Sequence, residues 1–192
     1  MKVIDISDYQ DGINFDLVEN DGVKGVIIKV SEGRTLMDFY PKFFNACITH
    51  QLQTGAYCLS HAKTTERAAE EATVLMDALE EYGYTDLALG LWIDVEPELS
   101  DQLTEDELTS IVSSFISTCN ARGYSAGVYG NKATLEKIRT EELADYVPYW
   151  CAEPGASYCT FKEENPTLYV VGWQKDFHYR IGSTEVDLNE WD

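Results

Sequence analysis

The stretch GLWIDVEPE, residues 90–98, joins a buried strand to two acidic residues. The segment from Leu89 to Val95 is typical of a β-strand covered on both faces, because most of its residues are apolar and strand-forming. Asp94 and Glu96 stand two positions apart, and alternate residues of a strand face the same side. Pro97 has no N–H to donate to a neighbouring strand, so the strand is predicted to end there. We therefore predict two carboxyls that project together from the end of a buried strand.

Seven further runs rich in apolar, β-branched and aromatic residues are predicted to be strands. In chain order they are VIDIS (3–7), GVIIKVS (25–31), GAYCLS (55–60), AGVYG (126–130), VPYWCA (147–152), LYVVGW (168–173) and EVDLNEW (185–191). Helical spacing of apolar residues marks the segments 38–53, 64–83 and 103–123, and this pattern fades after residue 140. Strands that alternate with helices favour a parallel sheet with helices outside it. We predict the α/β class, as an irregular TIM-like (β/α) barrel of about eight strands with helices mainly in the first two-thirds of the chain.

The composition restricts the partners of the protein. A formal net charge of −20 over 192 residues repels nucleic acid and anionic lipid, so neither is expected as a partner. No apolar run approaches the roughly 20 residues that cross a bilayer, and the N-terminus does not resemble a signal peptide. No phosphate-binding glycine loop or Ser-His-Asp signature stands in the chain. We expect no cofactor and no metal, because Asp5, Asp94, Glu96 and Asp187 are fewer oxygen ligands than a hard cation usually requires.

The five cysteines leave one question open. None stands in a Cys-x-x-Cys pair, which disfavours a zinc ribbon or a thioredoxin-type site. Cys47, Cys58 and Cys119 have apolar neighbours and are most simply small core residues. Cys151 and Cys159 either pair across a loop or stay free thiols.

Polar or aromatic residues stand at or near the C-terminal end of nearly every predicted strand. In a (β/α) barrel these strand ends form the rim of the active site, so the residues are expected to meet there. Carboxylates and amides suit sugar hydroxyls and aromatic faces suit sugar rings, although a single aromatic residue is more often part of the core. The candidates are Asp5, Glu32, Tyr57, Asp94, Glu96, Tyr129, Trp150, Trp173, Gln174, Asp187 and Asn189.

The pair formed by Asp94 and Glu96 indicates the chemistry. Two neighbouring carboxyls resist ionising together, so one of them should have a raised pKa. A protonated acid beside an ionised one is what cleavage of a glycosidic bond requires. From the pair alone, either Asp94 or Glu96 can be the acid that holds the proton. The alternative is a strand end that turns into solvent, where Glu98 and Asp101 continue an acidic loop.

The chain resembles the glycoside hydrolase family 25 lysozymes over nearly its whole length. The matching pieces, in order, are IDIS…Q, VIIKVSEG, GAY, WIDVE, GVYGN, YWCA, GWQ and VDLN. The resemblance implies an incomplete, flattened barrel of eight strands and a single glycoside hydrolase catalytic domain over residues 1–192. It also implies hydrolysis of the β-1,4 bond between N-acetylmuramic acid and N-acetylglucosamine in bacterial peptidoglycan.

The same resemblance implies roles for individual residues. Glu96 matches the general acid, so it is expected to hold the proton. Asp94 is expected to stay charged, because it matches a neighbouring acid that orients the N-acetyl group of the substrate or stabilises the intermediate. Asp5 and Asp187 match two further carboxyls of the groove, and the attacking group is either an enzyme carboxylate or the acetamido group of the substrate. The substrate-binding residues are predicted to be Tyr57, Tyr129, Trp150, Trp173 and Gln174 from the resemblance, with Glu32 and Asn189 from their place at the rim.

One departure from the family lies in GAYCLS, where Cys58 and Leu59 replace the usual His-Phe and His61 follows later. A catalytically silent peptidoglycan-binding module therefore stays an alternative. A substrate-assisted chitinase-like or endo-N-acetylglucosaminidase-like enzyme is a second alternative, although such enzymes usually carry a further Asp where Trp92 stands. The expected partner is the glycan strand of peptidoglycan. The expected location is extracellular, at the cell wall or delivered by a phage, and the sequence makes no prediction of the oligomeric state.

Overall fold

Nine strands form one sheet in the computed structural model, which describes all residues 1–192. The strands are β1 (Lys2–Ile6), β2 (Gly25–Glu32), β3 (Thr35–Leu36), β4 (Gln53–Leu59), β5 (Leu91–Asp94), β6 (Ala126–Asn131), β7 (Pro148–Ala152), β8 (Tyr169–Ile181) and β9 (Thr184–Trp191). The α-helices are α1 (Phe15–Asn20), α2 (Tyr40–Thr49), α3 (Thr65–Glu81), α4 (Pro97–Ser100), α5 (Glu105–Ala121), α6 (Lys132–Leu135) and α7 (Thr160–Glu164), and 3-10 turns span Asp8–Gln10 and Thr140–Glu142. None of these helices combines the length and the apolar character that crossing a membrane demands.

Eight of the strands close into a barrel in the order β1-β9-β8-β7-β6-β5-β4-β2, and β2 pairs back onto β1. Strands β1, β2 and β4 to β8 are parallel to one another. Strand β9 is antiparallel to both β8 and β1, and β3 is a two-residue addition at the end of β2. The predicted α/β class and the irregular TIM-like barrel of about eight strands are confirmed.

The eight predicted strands and the three predicted helices are all present. Strand β8 is longer than predicted because it continues past the barrel as a hairpin with β9, where Arg180 pairs with Glu185. Most side chains of this extension reach solvent, so no apolar alternation marks it in the sequence. The prediction also misses α1 and α7, which have six and five residues. Each buries at most two side chains, too few for a helical period to be visible.

The lower half of the barrel interior is apolar and aromatic. Trp92, Trp150 and Trp191 pack there with their ring centroids 5.5–5.7 Å apart. Two glycines make the space for these rings. A Cβ atom at Gly127 would lie 2.6 Å from Cζ3 of Trp92, and one at Gly172 would overlap Trp191 and lie 2.8 Å from Cδ1 of Trp150. The interior is therefore a filled core, and only its upper end is open to solvent.

The upper half of the interior, at the C-terminal ends of the parallel strands, is polar. Ile27 and Trp92 lie in the lower layer, so strand alternation directs Lys29 and Asp94 inward one layer above them. Asp5 of β1 pairs with Asp187 of β9, which brings two acids of opposite chain ends side by side. Closure of the barrel thus gathers charged residues at one mouth.

The helices on the outside of the barrel hold the loops that border this mouth. Helix α3 starts at a Thr64 cap, and its Glu71 is completely buried against the segment after β4. Glu71 accepts hydrogen bonds from Ser60 Oγ at 2.7 Å and from Arg67 Nε at 3.3 Å. A buried carboxylate requires such partners, and they fix the path of the chain from β4 to His61.

Candidate active site

A groove of about 700 Å³ opens at the C-terminal ends of the parallel strands. Five predicted site residues line it, namely Asp5, Tyr57, Asp94, Glu96 and Asp187. They come from β1, β4, β5, the residue before α4, and β9, so the closed sheet brings them together. Glu96 lies just past the end of β5 with extended backbone angles, and its side chain reaches the same groove as Asp94.

One amide side chain joins two of the groove carboxyls. Gln174 Nε2 donates hydrogen bonds to Asp5 Oδ2 at 3.0 Å and to Asp187 Oδ2 at 3.1 Å. Its Oε1 accepts a hydrogen bond from the Tyr129 hydroxyl at 2.5 Å. Gln174 is 1% exposed and does not line the groove, so it supports the acids from below.

A second amide supports Asp5 in the same way. Asn189 Nδ2 donates to Asp5 Oδ2 at 2.7 Å, and Asn189 Oδ1 accepts from Trp150 Nε1 at 2.7 Å. Trp150 and Asn189 are each 1% exposed. Tyr129, Trp150, Gln174 and Asn189 thus form a buried layer beneath the groove that holds its acids in place, and their predicted glycan contacts stay a prediction.

The first carboxyl pair has strongly shifted protonation. Burial raises the pKa of Asp5 from 3.8 to about 7, although the hydrogen bonds from Asn189 and Gln174 oppose that rise. Burial and the charge of Asp5 raise the pKa of Asp187 to about 8. Two carboxyls beside each other in a low-dielectric layer therefore retain protons near neutral pH.

The second pair, Asp94 and Glu96, differs from the prediction in how it holds the proton. Asp94 is 6% exposed and its Oδ1 has no hydrogen-bond partner. Burial, followed by the charges of Glu96 and Asp5, raises the pKa of Asp94 well above its usual range. Burial and Glu98 also raise the pKa of Glu96, which Lys29 opposes. Burial therefore disfavours the charged form of both acids, and Asp94 lies inside the barrel whereas Glu96 lies at the mouth.

Lys29 is a groove residue that the sequence prediction misses. Its Nζ donates to Glu32 Oε2 at 2.7 Å, and Glu32 Oε1 lies 3.2 Å from His61 Nε2. The hydrogen bonds from Lys29 and His61 lower the pKa of Glu32. The predicted residue Glu32 therefore lies at the rim and supports Lys29 rather than lining the groove. A lone charge within the apolar run GVIIKVS is the signal that identifies Lys29.

Cys58 and Leu59, where the sequence departs from the family pattern, are the last two residues of β4, and their side chains face opposite sides of the sheet. Leu59 lines the groove, whereas Cys58 is buried and its thiol donates to the Gly33 carbonyl at 3.5 Å. His61 brings an imidazole back to the rim through its contact with Glu32. Cys58 therefore supplies no polar group to the groove.

Trp173 does not line the groove, and its predicted contact with sugar stays a prediction. Adjacent residues of a strand face opposite sides, so the inward position of Gln174 directs Trp173 outward. Its Nε1 donates to the Glu153 carbonyl at 3.1 Å, and Lys175 Nζ lies 5.6 Å from its ring centroid. Trp173 thus packs on the outer surface of β8.

The remaining walls of the groove come from segments that the prediction did not include. Tyr9 and Gln10 of the first 3-10 turn contribute, as do Phe177 and Glu185 of the β8–β9 hairpin. Tyr9 is 94% exposed and Phe177 is 38% exposed, so both rings are accessible to a bound molecule. No sequence signal identifies Phe177, because only the hairpin pairing brings it to the groove.

The family model described as Glycosyl hydrolases family 25 matches residues 4–180 of this chain. The chain belongs to glycosyl hydrolase family 25. This family 25 chain is 29% identical over 194 residues to a protein of Clostridium acetobutylicum named Autolytic lysozyme. The alignment covers 100% of this chain and 56% of that protein, so the chain spans about half the length of the curated relative it matches.

Solved structures share the fold of this family 25 chain. The modular autolysin LytC from Streptococcus pneumoniae has a TM-score of 0.83 at 20% identity, covering 100% of this chain and 46% of LytC. The bacterial lysozyme from Streptomyces coelicolor has a TM-score of 0.80 at 21% identity, covering 100% of this chain and 92% of that structure. At these identities the likeness establishes the barrel architecture, and the site rests on the side chains described above.

Proposed function

We propose that this family 25 chain is a lysozyme that hydrolyses the β-1,4 bond between N-acetylmuramic acid and N-acetylglucosamine in bacterial peptidoglycan. The observation that carries the proposal is the convergence of Asp5, Asp94, Glu96 and Asp187 on one open groove. The family supports glycosidic chemistry, and the clostridial relative is named as a lysozyme. A LytC structure has been solved with a synthetic peptidoglycan ligand, which supports this polymer as the substrate class.

In this proposal Glu96 is the general acid that protonates the glycosidic oxygen. Burial already raises the pKa of Glu96 in the free protein, and a sugar bound over it would exclude more water and raise that pKa further. Asp94, deeper in the same groove, offers its protonated carboxyl to the N-acetyl group of the substrate. Asp5 of β1 and Asp187 of β9 are both held by Gln174. They border the groove on the side of the barrel that these two strands form.

The exposed rings of Tyr9 and Phe177 are proposed to pack against sugar faces along the groove. Lys29 faces the groove and supplies a hydrogen-bond donor beside the acids. The whole of residues 1–192 is proposed to act as one catalytic domain, with peptidoglycan glycan strands as its partner. Its place of action is then the bacterial cell wall, where that polymer lies.

The decisive experiment compares the wild type with Glu96→Gln on purified peptidoglycan and measures the release of reducing ends. Loss of a general acid should lower the rate by roughly 10²–10⁴-fold. Glu81→Gln is the matched control, because Glu81 is exposed at the end of α3 and does not line the groove. Equal rates for Glu96→Gln and the wild type would contradict the assignment of the acid.

Mass spectrometry of the digest distinguishes the alternatives. The proposed activity leaves N-acetylmuramic acid at the new reducing end. A new N-acetylglucosamine end, together with cleavage of chitin oligomers, would favour the chitinase-like or endo-N-acetylglucosaminidase-like alternative. Binding to peptidoglycan without any cleavage by the wild type would favour the binding module.

A further inference from the structure

Two cysteines and a glutamate meet outside the barrel, between β7 and α7. Cys151 lies in β7, Glu153 follows that strand, and Cys159 immediately precedes α7. The ligand atoms of these three side chains all lie within 4.8 Å of one another. None of the three lines the groove, and both cysteines are free thiols. We propose that Cys151, Glu153 and Cys159 form a structural binding site for Zn²⁺.

The distances between the ligand atoms match those of a zinc site. Glu153 Oε2 lies 3.8 Å from Cys151 Sγ and 3.5 Å from Cys159 Sγ. A tetrahedral zinc ion with sulfur at about 2.3 Å and oxygen at about 2.0 Å holds those two atoms roughly 3.5 Å apart. Zinc accepts a mixed set of sulfur and carboxylate ligands, whereas Mg²⁺ and Ca²⁺ prefer oxygen alone. The three side chains therefore need little movement to bind zinc.

The carboxylate of Glu153 is already oriented by its own partners. The Thr160 hydroxyl donates to Oε1, and the Phe161 N–H donates to Oε2 at 2.9 Å. Such outer hydrogen bonds fix a metal-binding carboxylate in place. Oε2 accepts only one of these two hydrogen bonds and has a second lone pair for a cation. The Glu153 carbonyl also accepts the Trp173 Nε1 hydrogen bond, so the site connects β7, α7 and β8.

The local charge suits a divalent cation. Binding of Zn²⁺ displaces one proton from each thiol, so two thiolates and one carboxylate around the ion leave a net charge of −1. Lys132 Nζ lies 3.0 Å from Thr160 Oγ1 at the edge of the site, where it also pairs with Glu164 Oε2 at 2.7 Å. Cys159 borders a surface cavity of about 310 Å³, which gives the ion a path and water a place as the fourth ligand.

The test uses the full chain, reduced with a phosphine and freed of metal with a chelator. Zn²⁺ is titrated against a chromophoric indicator, Co²⁺ is used to record the thiolate-to-metal charge-transfer band, and the Tm is measured with and without Zn²⁺. The wild type should bind one ion per chain, show the band, and gain about 5–10 °C in Tm at Zn²⁺ near 100 times Kd. Cys159→Ala and Cys151→Ala should lose the band and the gain in Tm.

Cys119→Ala is the matched control, because Cys119 is a buried thiol of α5 outside the site, and it should behave as the wild type. Three results would overturn the proposal. They are an ion bound without the charge-transfer band, an equal rise in Tm for Cys159→Ala and the wild type, and a Cys151–Cys159 disulfide in protein purified without added oxidant. Each of these results is independent of lysozyme activity.

Discussion

Replacing Asp5 with asparagine should stabilise the protein increasingly as the pH rises. Asp5 is 8% exposed and pairs with Asp187 across β1 and β9. Asparagine has nearly the same size and keeps an oxygen that accepts the hydrogen bonds of Asn189 and Gln174. It never carries a charge, so Asp5→Asn removes the free-energy cost of a buried ionised carboxyl and changes little else.

The sign and size of the effect follow from the pKa of Asp5, which burial raises from 3.8 to about 7. A carboxyl whose pKa is higher in the folded state stabilises the fold below its unfolded pKa, and this stabilisation is lost as the pH rises through the folded pKa. At about 1.36 kcal/mol per pKa unit, the range from 3.8 to about 7 corresponds to about 4 kcal/mol. The charge of Asp5 also raises the pKa of Asp187, so the substitution acts in the same direction there.

Urea unfolding followed by tryptophan fluorescence measures the free energy of unfolding at about pH 4, 6 and 8. The difference between Asp5→Asn and the wild type should grow by about 4 kcal/mol over this range in favour of the variant. Asp38→Asn is the control, because Asp38 is exposed and its replacement removes one charge from the same net −20. The reasoning from burial would be refuted if the free energies of unfolding of Asp5→Asn and the wild type differed by the same amount at pH 4 and pH 8.

Two further substitutions test the packing beneath the groove, both by urea unfolding. Gln174→Leu removes two hydrogen bonds to buried carboxyls and leaves the Tyr129 hydroxyl without its acceptor, so it should lower the free energy of unfolding by about 2–4 kcal/mol. Gly172→Ala places a methyl group against Trp150 and Trp191, so it should lower the free energy of unfolding by about 1–3 kcal/mol.

Each of these two substitutions has a control in the same chain. Tyr129→Phe removes one hydrogen bond of Gln174 and keeps the two to the carboxyls, so it should destabilise less than Gln174→Leu. Gly12→Ala should be nearly neutral, because a Cβ atom there meets no atom within 4 Å. The described packing would be contradicted if Gln174→Leu left the free energy of unfolding unchanged. It would also be contradicted if Gly172→Ala lowered that free energy no more than Gly12→Ala does.

The strands and long helices were predictable because their signals are local. The runs of β-branched and aromatic residues mark each barrel strand, and helical spacing marks α2, α3 and α5. The convergence of Asp5, Asp94 and Asp187 was also predictable, since parallel strands of a closed barrel present their C-terminal ends at one mouth. The hairpin extension of β8 was not, because its exposed side chains carry no apolar alternation.

The predicted site residues that do not line the groove lie elsewhere for one physical reason. Neighbouring strand residues face opposite sides, so Trp173 and Gln174 cannot both point into the barrel. Which of the two does so depends on the pairing of β8 with β7 and β9. Likewise Trp150 is core rather than a groove residue because Trp92 and Trp191 pack around it. These contacts join residues far apart in the chain, and no local pattern contains them.

The amino-acid sequence by itself determined the family, the strands, and the acids that stand at the strand ends, since all of these depend on residue type and short spacing. The tertiary structure alone decided that burial raises the pKa of both Asp94 and Glu96, that Gln174 joins Asp5 to Asp187, and that Lys29 faces the acids. A pKa depends on the burial and charges that surround a group, and those surroundings come from strands that only the closed barrel brings together.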